Sequence, residues 1–133
     1  MSSFVFITGA LTNADKETRG LYQKIAKMIK PYATKVYKPG DEKFSTSQGR
    51  YQRGMERVKN SDLIIAVVNY PSTGQGFELQ EAFRLKVPVI AVAKMGLKTS
   101  SMITGAPFTS FIYYQNEKDL KEKLTKELGR YSR

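Results

Sequence analysis

The residues best equipped for chemistry lie between positions 69 and 78, where Asn-Tyr-Pro-Ser-Thr-Gly-Gln-Gly-Phe-Glu follows an apolar run. Gly74 and Gly76 would let backbone N–H groups approach a ligand closely, and Ser72 and Thr73 add hydroxyls. A helix starting just beyond them would aim its positive end at the same point, which suits phosphate or another anion. Glu78 closes the segment. As a carboxylate in a helix's first turn it would serve the dipole. A capping box ending on it would want Ser or Thr at 75, where the chain has Gln. The other use of Glu78 is as a nucleophile or general base. The chain has no His and no Cys. Thiol nucleophiles, Ser-His-Asp and Cys-His machinery, disulfides and the usual zinc sites are therefore excluded. No metal and no cofactor is called for, and Glu78 is the best nucleophile on offer.

A second candidate ligand turn is Thr8-Gly9-Ala10-Leu11-Thr12, after another apolar stretch. If the two preceding strands are parallel neighbours, the two turns form opposite walls of one pocket. Gly9 could equally be needed only to turn the chain.

The elements that must position these turns follow from periodicity. Continuous apolar runs at 4–7 and 63–68 read as strands covered on both faces. Residues 34–37, 88–93 and 111–114 read as three more. Leu21, Ile25, Met28 and Ile29 stripe a helix over 14–30 that stops at Pro31. The polar stretch 41–49 reads as a loop, and Tyr51, Met55 and Val58 as the inner face of the next helix. A helix near 76–86 turns Leu79, Ala82 and Phe83 inward, and Leu120, Leu124 and Leu128 stripe the last. Strands alternating with helices predict an α/β fold with a parallel sheet wrapped by helices. There, ligands bind at the carboxyl edge of the strands. With 133 residues and no repeat or linker, a single domain over 1–133 is expected.

The chain carries 22 Lys and Arg against 12 Asp and Glu, a net charge of +10. The excess sits in residues 1–61, with 12 basic against 5 acidic side chains. Such a field concentrates anions, although a Lys-rich solvated surface would look the same. The basic residues are spread along helix faces without interleaved aromatics, so a nucleic-acid footprint is only weakly supported. No stretch has the roughly 18 apolar residues of a membrane span, and no basic leader precedes the first apolar segment. A cytoplasmic protein is expected.

At the level of whole segments, FITGAL, SDLIIAVVNYPSTGQGFELQEA, KVPVIAVAK and SMITGA resemble the nucleoside 2-deoxyribosyltransferase superfamily. The resemblance is strongest to its 2'-deoxynucleoside 5'-phosphate N-hydrolase branch, and the middle segment is the specific one. It implies a flavodoxin-like, Rossmann-like three-layer sandwich with a five-stranded parallel sheet, as a homodimer. It also implies cleavage of the N-glycosidic bond of a nucleoside or nucleoside 5'-monophosphate, by hydrolysis or deoxyribosyl transfer. Glu78 would attack the anomeric carbon and form a glycosyl ester, resolved with net retention. Ser72 and the amides around Gly74 and Gly76 would hold the 5'-phosphate, helped by the Gly9-Ala10-Leu11 turn. A hydroxyl from a neighbouring subunit, matched by Thr109 or else Ser110, would complete that site.

The chain departs from the superfamily's pattern twice. Where its members carry an aspartate serving the base and its protonation, eight residues before Asp62, this chain has Gly54. Glu56 lies roughly 200° around the helix from it, and Asp41 or Glu42 in the preceding loop are the carboxylates left to reach in. The aromatic hydroxyl three residues before the first glycine is replaced by Phe6. Gly54 in a helix costs about 1 kcal/mol against Ala, and makes room for a ligand or marks drift in a member that lost activity. The rival reading is accordingly a nucleotide-binding module that keeps the phosphate turn without turnover.

Overall fold

In a computed structural model, which describes residues 3–131, five strands form one wholly parallel sheet. They are β1 (Phe4–Thr8), β2 (Lys35–Tyr37), β3 (Leu63–Val67), β4 (Val89–Lys94) and β5 (Ser110–Tyr114). Between and after them run α1 (Lys16–Ile29), α2 (Ser47–Asn60), α3 (Thr73–Leu85), the single-turn α4 (Ser101–Thr104) and α5 (Glu117–Leu128). The strand order is β2-β1-β3-β4-β5, the flavodoxin-like order, in which the winding reverses between β1 and β3.

Pleating sorts each strand's side chains between two cores. Val5, Ile7, Ile65, Val67, Ile90 and Val92 face the stripes of α1 and α5. Phe6, Ile64, Ala66 and Val68 face Val58 of α2 and Leu79 and Ala82 of α3. Thr8 continues the Phe6 face of β1, which puts its hydroxyl under α3. The helix stripes at 21–29 and 120–128 occupy the buried positions expected of them.

Three local expectations are corrected. The helix after the 41–49 stretch begins at Ser47, capped by Thr46, whose hydroxyl accepts from the Gly49 N–H at 3.0 Å. Its inner face is Gly54 and Val58; Tyr51 is exposed and meets Phe77 edge to face. Both stripes share Val58, and the one with the glycine turns inward because it lets the helix settle against α3. The third helix starts at Thr73 rather than near 76, so Gly74 and Gly76 belong to its first turn. Glu78 is therefore in the second turn.

Candidate active site

The cap of α3 explains its early start. Ser72 is extended and its Oγ accepts from the Gln75 N–H at 3.3 Å. Ser72-x-x-Gln75 is thus a capping-box spacing that stops three residues short of Glu78. The Gln75 side chain does not turn back on the cap, however. It is buried and donates to the main-chain oxygens of Thr8, at 3.1 Å, and Val67, at 2.9 Å. One amide therefore ties the ends of β1 and β3 to the start of α3, at the reversal of strand order.

Above this tie lies a cleft of about 380 Å³. One wall is the turn after β1, with Gly9, Leu11 and Thr12. The facing wall is Ser72, Gly74 and Glu78 of α3, and the side is made by 38–44 and α2. Glu78 is 5% exposed. Its Oε1 accepts from the Thr8 hydroxyl at 2.7 Å, and its Oε2 lies 3.6 Å from Nη1 of Arg50. Burial pushes its carboxyl above the usual carboxylate range, against the Thr8 hydrogen bond and the charges of Arg50 and Arg57.

The predicted residues do not all meet here. Gly9, Leu11, Ser72, Gly74 and Glu78 line the cleft; Ala10, Gly76 and Thr109 do not. Ala10 is buried and its carbonyl accepts from the Tyr22 hydroxyl. The same ring dictates Gly9, since a Cβ there would run into it. Gly76 is exposed, and its N–H is spent on the Ser72 carbonyl at 3.1 Å. The N–H groups of Thr73 and Gly74, by contrast, have no partner among the described residues and carry the helix dipole's positive end. Thr109 stands at the opposite edge of the sheet, where its Oγ1 accepts from the Val89 N–H at 3.1 Å. Ser110 Oγ donates to Glu127 at 2.5 Å.

Gly54 lines the cleft, and its lack of a side chain has a direct cause. A Cβ would fall 2.9 Å from Glu78 Oε2 and 3.3 Å from Arg50 Nη1. Arg50, one turn earlier, fills the neighbourhood that a longer side chain at 54 would need. The nearby carboxylates are already engaged. Asp41 pairs with Lys38. Glu42 accepts from Arg53 Nε at 3.1 Å and Arg57 Nη2 at 2.7 Å. Partial burial opposes its ionisation, but those two arginines hold its carboxyl below the usual range. Arg57 also lies over the Tyr37 ring, 4.5 Å from its centroid. Residue types alone did not single out Gln75, Arg50 or Arg57. The signals were spacings: Gln75 three after Ser72, and Arg50 and Arg57 one turn either side of Gly54.

A buried carboxylate thus stands beside a helix N-terminus at the switch point of a doubly wound sheet. In sequence the chain is similar to nucleotide N-hydrolases, and in fold to an N-glycosidase and a 2-deoxyribosyltransferase, as the resemblance of the four segments implies. A Methanosarcina mazei protein provisionally named 2'-deoxynucleoside 5'-phosphate N-hydrolase 1 is 37% identical over 79 residues, 58% of this chain and 49% of that one. The chain thus spans about half the length of that relative. A protein of the same provisional name from Syntrophotalea carbinolica is 24% identical, over 87% of each chain. The 5-hydroxymethyl-dUMP N-hydrolase of Mus musculus is 26% identical over 77% of this chain and 65% of its own. Among solved structures, the CMP N-glycosidase of Clostridium botulinum superposes with a TM-score of 0.73 at 19% identity, covering 93% and 98% of the two chains. The 2-deoxyribosyltransferase of Bacillus psychrosaccharolyticus gives 0.67 at 18%, covering 95% and 96%. No family profile matches the chain. No helix among the described residues is long and apolar enough to cross a membrane.

Proposed function

We propose that this cleft breaks the N-glycosidic bond of a nucleoside 5'-monophosphate, with Glu78 as the nucleophile. The observation that carries the reading is Glu78 itself: a buried carboxylate, fixed by the Thr8 hydroxyl, four and five residues beyond the unpartnered N–H groups of Gly74 and Thr73 that open α3. Those amides and Ser72 hold the 5'-phosphate, and the Gly9–Leu11 wall closes over the sugar. Glu78 attacks the anomeric carbon, the pair of the C–N bond leaves with the base, and water or a second base opens the glycosyl ester. The relatives' N-hydrolase and glycosidase names support the bond class. Phosphate anchoring supplies orientation away from the reacting centre. In a homodimer, a partner copy could bring Thr109 to the phosphate, a role it does not have within its own chain.

Incubating the protein with ribo- and deoxynucleoside 5'-monophosphates and following free base tests this. Release should be lost in Glu78→Ala, and release that survives the substitution sinks the assignment. Adding a second free base and looking for a new nucleotide separates transfer from hydrolysis. One observation favours a second reading, a binding module without turnover: Asp41 and Glu42, the carboxylates nearest to Gly54 from the loop, are both committed to basic side chains. Nucleotide binding in calorimetry, with no product from any substrate, would decide for it.

A further inference from the structure

Cleaving a C–N bond requires something to accept the departing electron pair, and among the described residues no unpaired carboxyl group stands by the nucleophile. What stands there is Arg50. Its Nη1 is 3.6 Å from Glu78 Oε2, longer than a hydrogen bond. Its Nη2 would lie 3.6 Å from a Cβ on Gly74, and its guanidinium lies 5.7 Å from the centroid of Phe44. The other two cleft arginines are engaged with carboxylates: Arg53 with Glu42 and Glu56, and Arg57 with Glu42 through Nη2, its Nε buried without a partner and out of a ligand's reach. Arg50, half exposed and making no carboxylate hydrogen bond, is thus the cleft arginine free to turn its N–H groups to a ligand, and Gly54 is the opening through which it reaches the nucleophile.

We infer that Arg50 is the leaving-group partner, acting as a fixed cation in place of a proton donor. This rests on the glycosidic reading above. As Glu78 bonds to the anomeric carbon, the C–N pair passes to the base, which departs as an anion with charge on a ring carbonyl oxygen. Arg50 donates N–H bonds to that oxygen and keeps its own proton, since a guanidinium does not deprotonate in proteins. The base takes its proton from water afterwards, and water hydrolyses the ester. The substrate class follows. Bases that leave well as carbonyl-stabilised anions, such as uracil-type pyrimidines, fit the site, whereas aminopurines that must be protonated to leave do not.

A non-titrating partner also shapes the pH response. The charged groups facing Glu78 are Arg50 and Arg57 from α2, with Thr8 from β1 neutral; Lys38, Asp41 and Glu42 line the loop side of the cleft. The rate should rise as Glu78 ionises and then stay level to about pH 9, without the descending limb of a general acid.

The experiment compares deoxyuridine 5'-monophosphate with p-nitrophenyl 2-deoxyriboside 5'-phosphate, whose aglycone departs unaided. In Arg50→Gln, kcat for the uracil substrate should fall about 100-fold, while nitrophenol release changes by only about 3-fold; Arg50→Lys should recover part of the loss. Equal losses on both substrates would make Arg50 a positioning residue for Glu78 and overturn the inference. So would a rise in KM alone, the mark of a phosphate contact, or a descending pH limb that persists in Arg50→Gln. Silence of the wild-type protein on both substrates and on the wider nucleotide panel is a different result, because it removes the glycosidic reading itself.

Discussion

At the scale of residues, Glu78 is held in conflict between its burial and its partners. Because burial lifts its folded-state pKa above the value in the unfolded chain, the folded state binds the extra proton more tightly. Stability should therefore fall as pH rises through the raised pKa, and the penalty should persist above it. Glu78→Gln keeps an acceptor for Thr8 and removes the charge. Its thermal midpoint should exceed wild type at neutral pH and converge with it as pH falls toward the unfolded carboxylate value. A variant less stable than wild type at every pH would contradict this. Gly54→Ala tests the neighbouring contact. Its methyl lies within 3 Å of the carboxylate, so base release should drop about 10-fold or more, as misplacing a reacting group does, while the far-ultraviolet spectrum stays native.

At the scale of elements, the start of α3 does two tasks. Ser72→Ala removes the cap and should cost about 1 kcal/mol in denaturant unfolding, together with weaker nucleotide binding by calorimetry. Gln75→Leu strands two buried carbonyls and should cost about 1–3 kcal/mol. It should also loosen the two turns, seen as faster hydrogen exchange at the ends of β1 and β3. The strands and the stripes of α1 and α5 were legible in the sequence because continuous apolar runs and clean 3.6-residue stripes admit few alternatives. The start of α3 was not, since Gly74 and Gly76 favour a turn by propensity and only the Ser72 cap and the anchored Gln75 make them helical. Tyr51 misled for a related reason: its stripe and that of Gly54 differ by one position, and a large side chain outweighs a glycine in any hydrophobic count. The pairing of Arg50 with Glu78 is a contact across 28 positions, which no local pattern reveals.

For the whole molecule, the reversal between β1 and β3 decides where chemistry can occur, because the helices leaving those strands go to opposite faces and open a crevice. That location was legible from element order alone. The identity of the groups filling the loop side was not, because 38–46 has no periodicity. The net charge of +10 gains a specific expression, with Lys38, Arg50, Arg53 and Arg57 all lining the cleft. Nucleotide affinity should therefore weaken as sodium chloride rises from about 0.05 to 0.5 M, since screening shortens the field's reach to a few ångströms. Affinity indifferent to salt would leave the surface lysines and arginines as solubilising charge only.

The near-contact of position 54 with Glu78 and Arg50 has an evolutionary consequence. A carboxylate written into position 54 would crowd the Glu78 carboxylate and the arginine one turn before it. Arg50 has to shorten first, and the reverse order passes through a crowded, poorly functioning intermediate. The two positions are thus epistatic, and a double-mutant cycle on Arg50→Ala and Gly54→Asp should show coupling of about 0.5–3 kcal/mol. Of the two mutational routes between a site with a fixed cation and one with a titrating acid, the one that shortens Arg50 first is the less crowded.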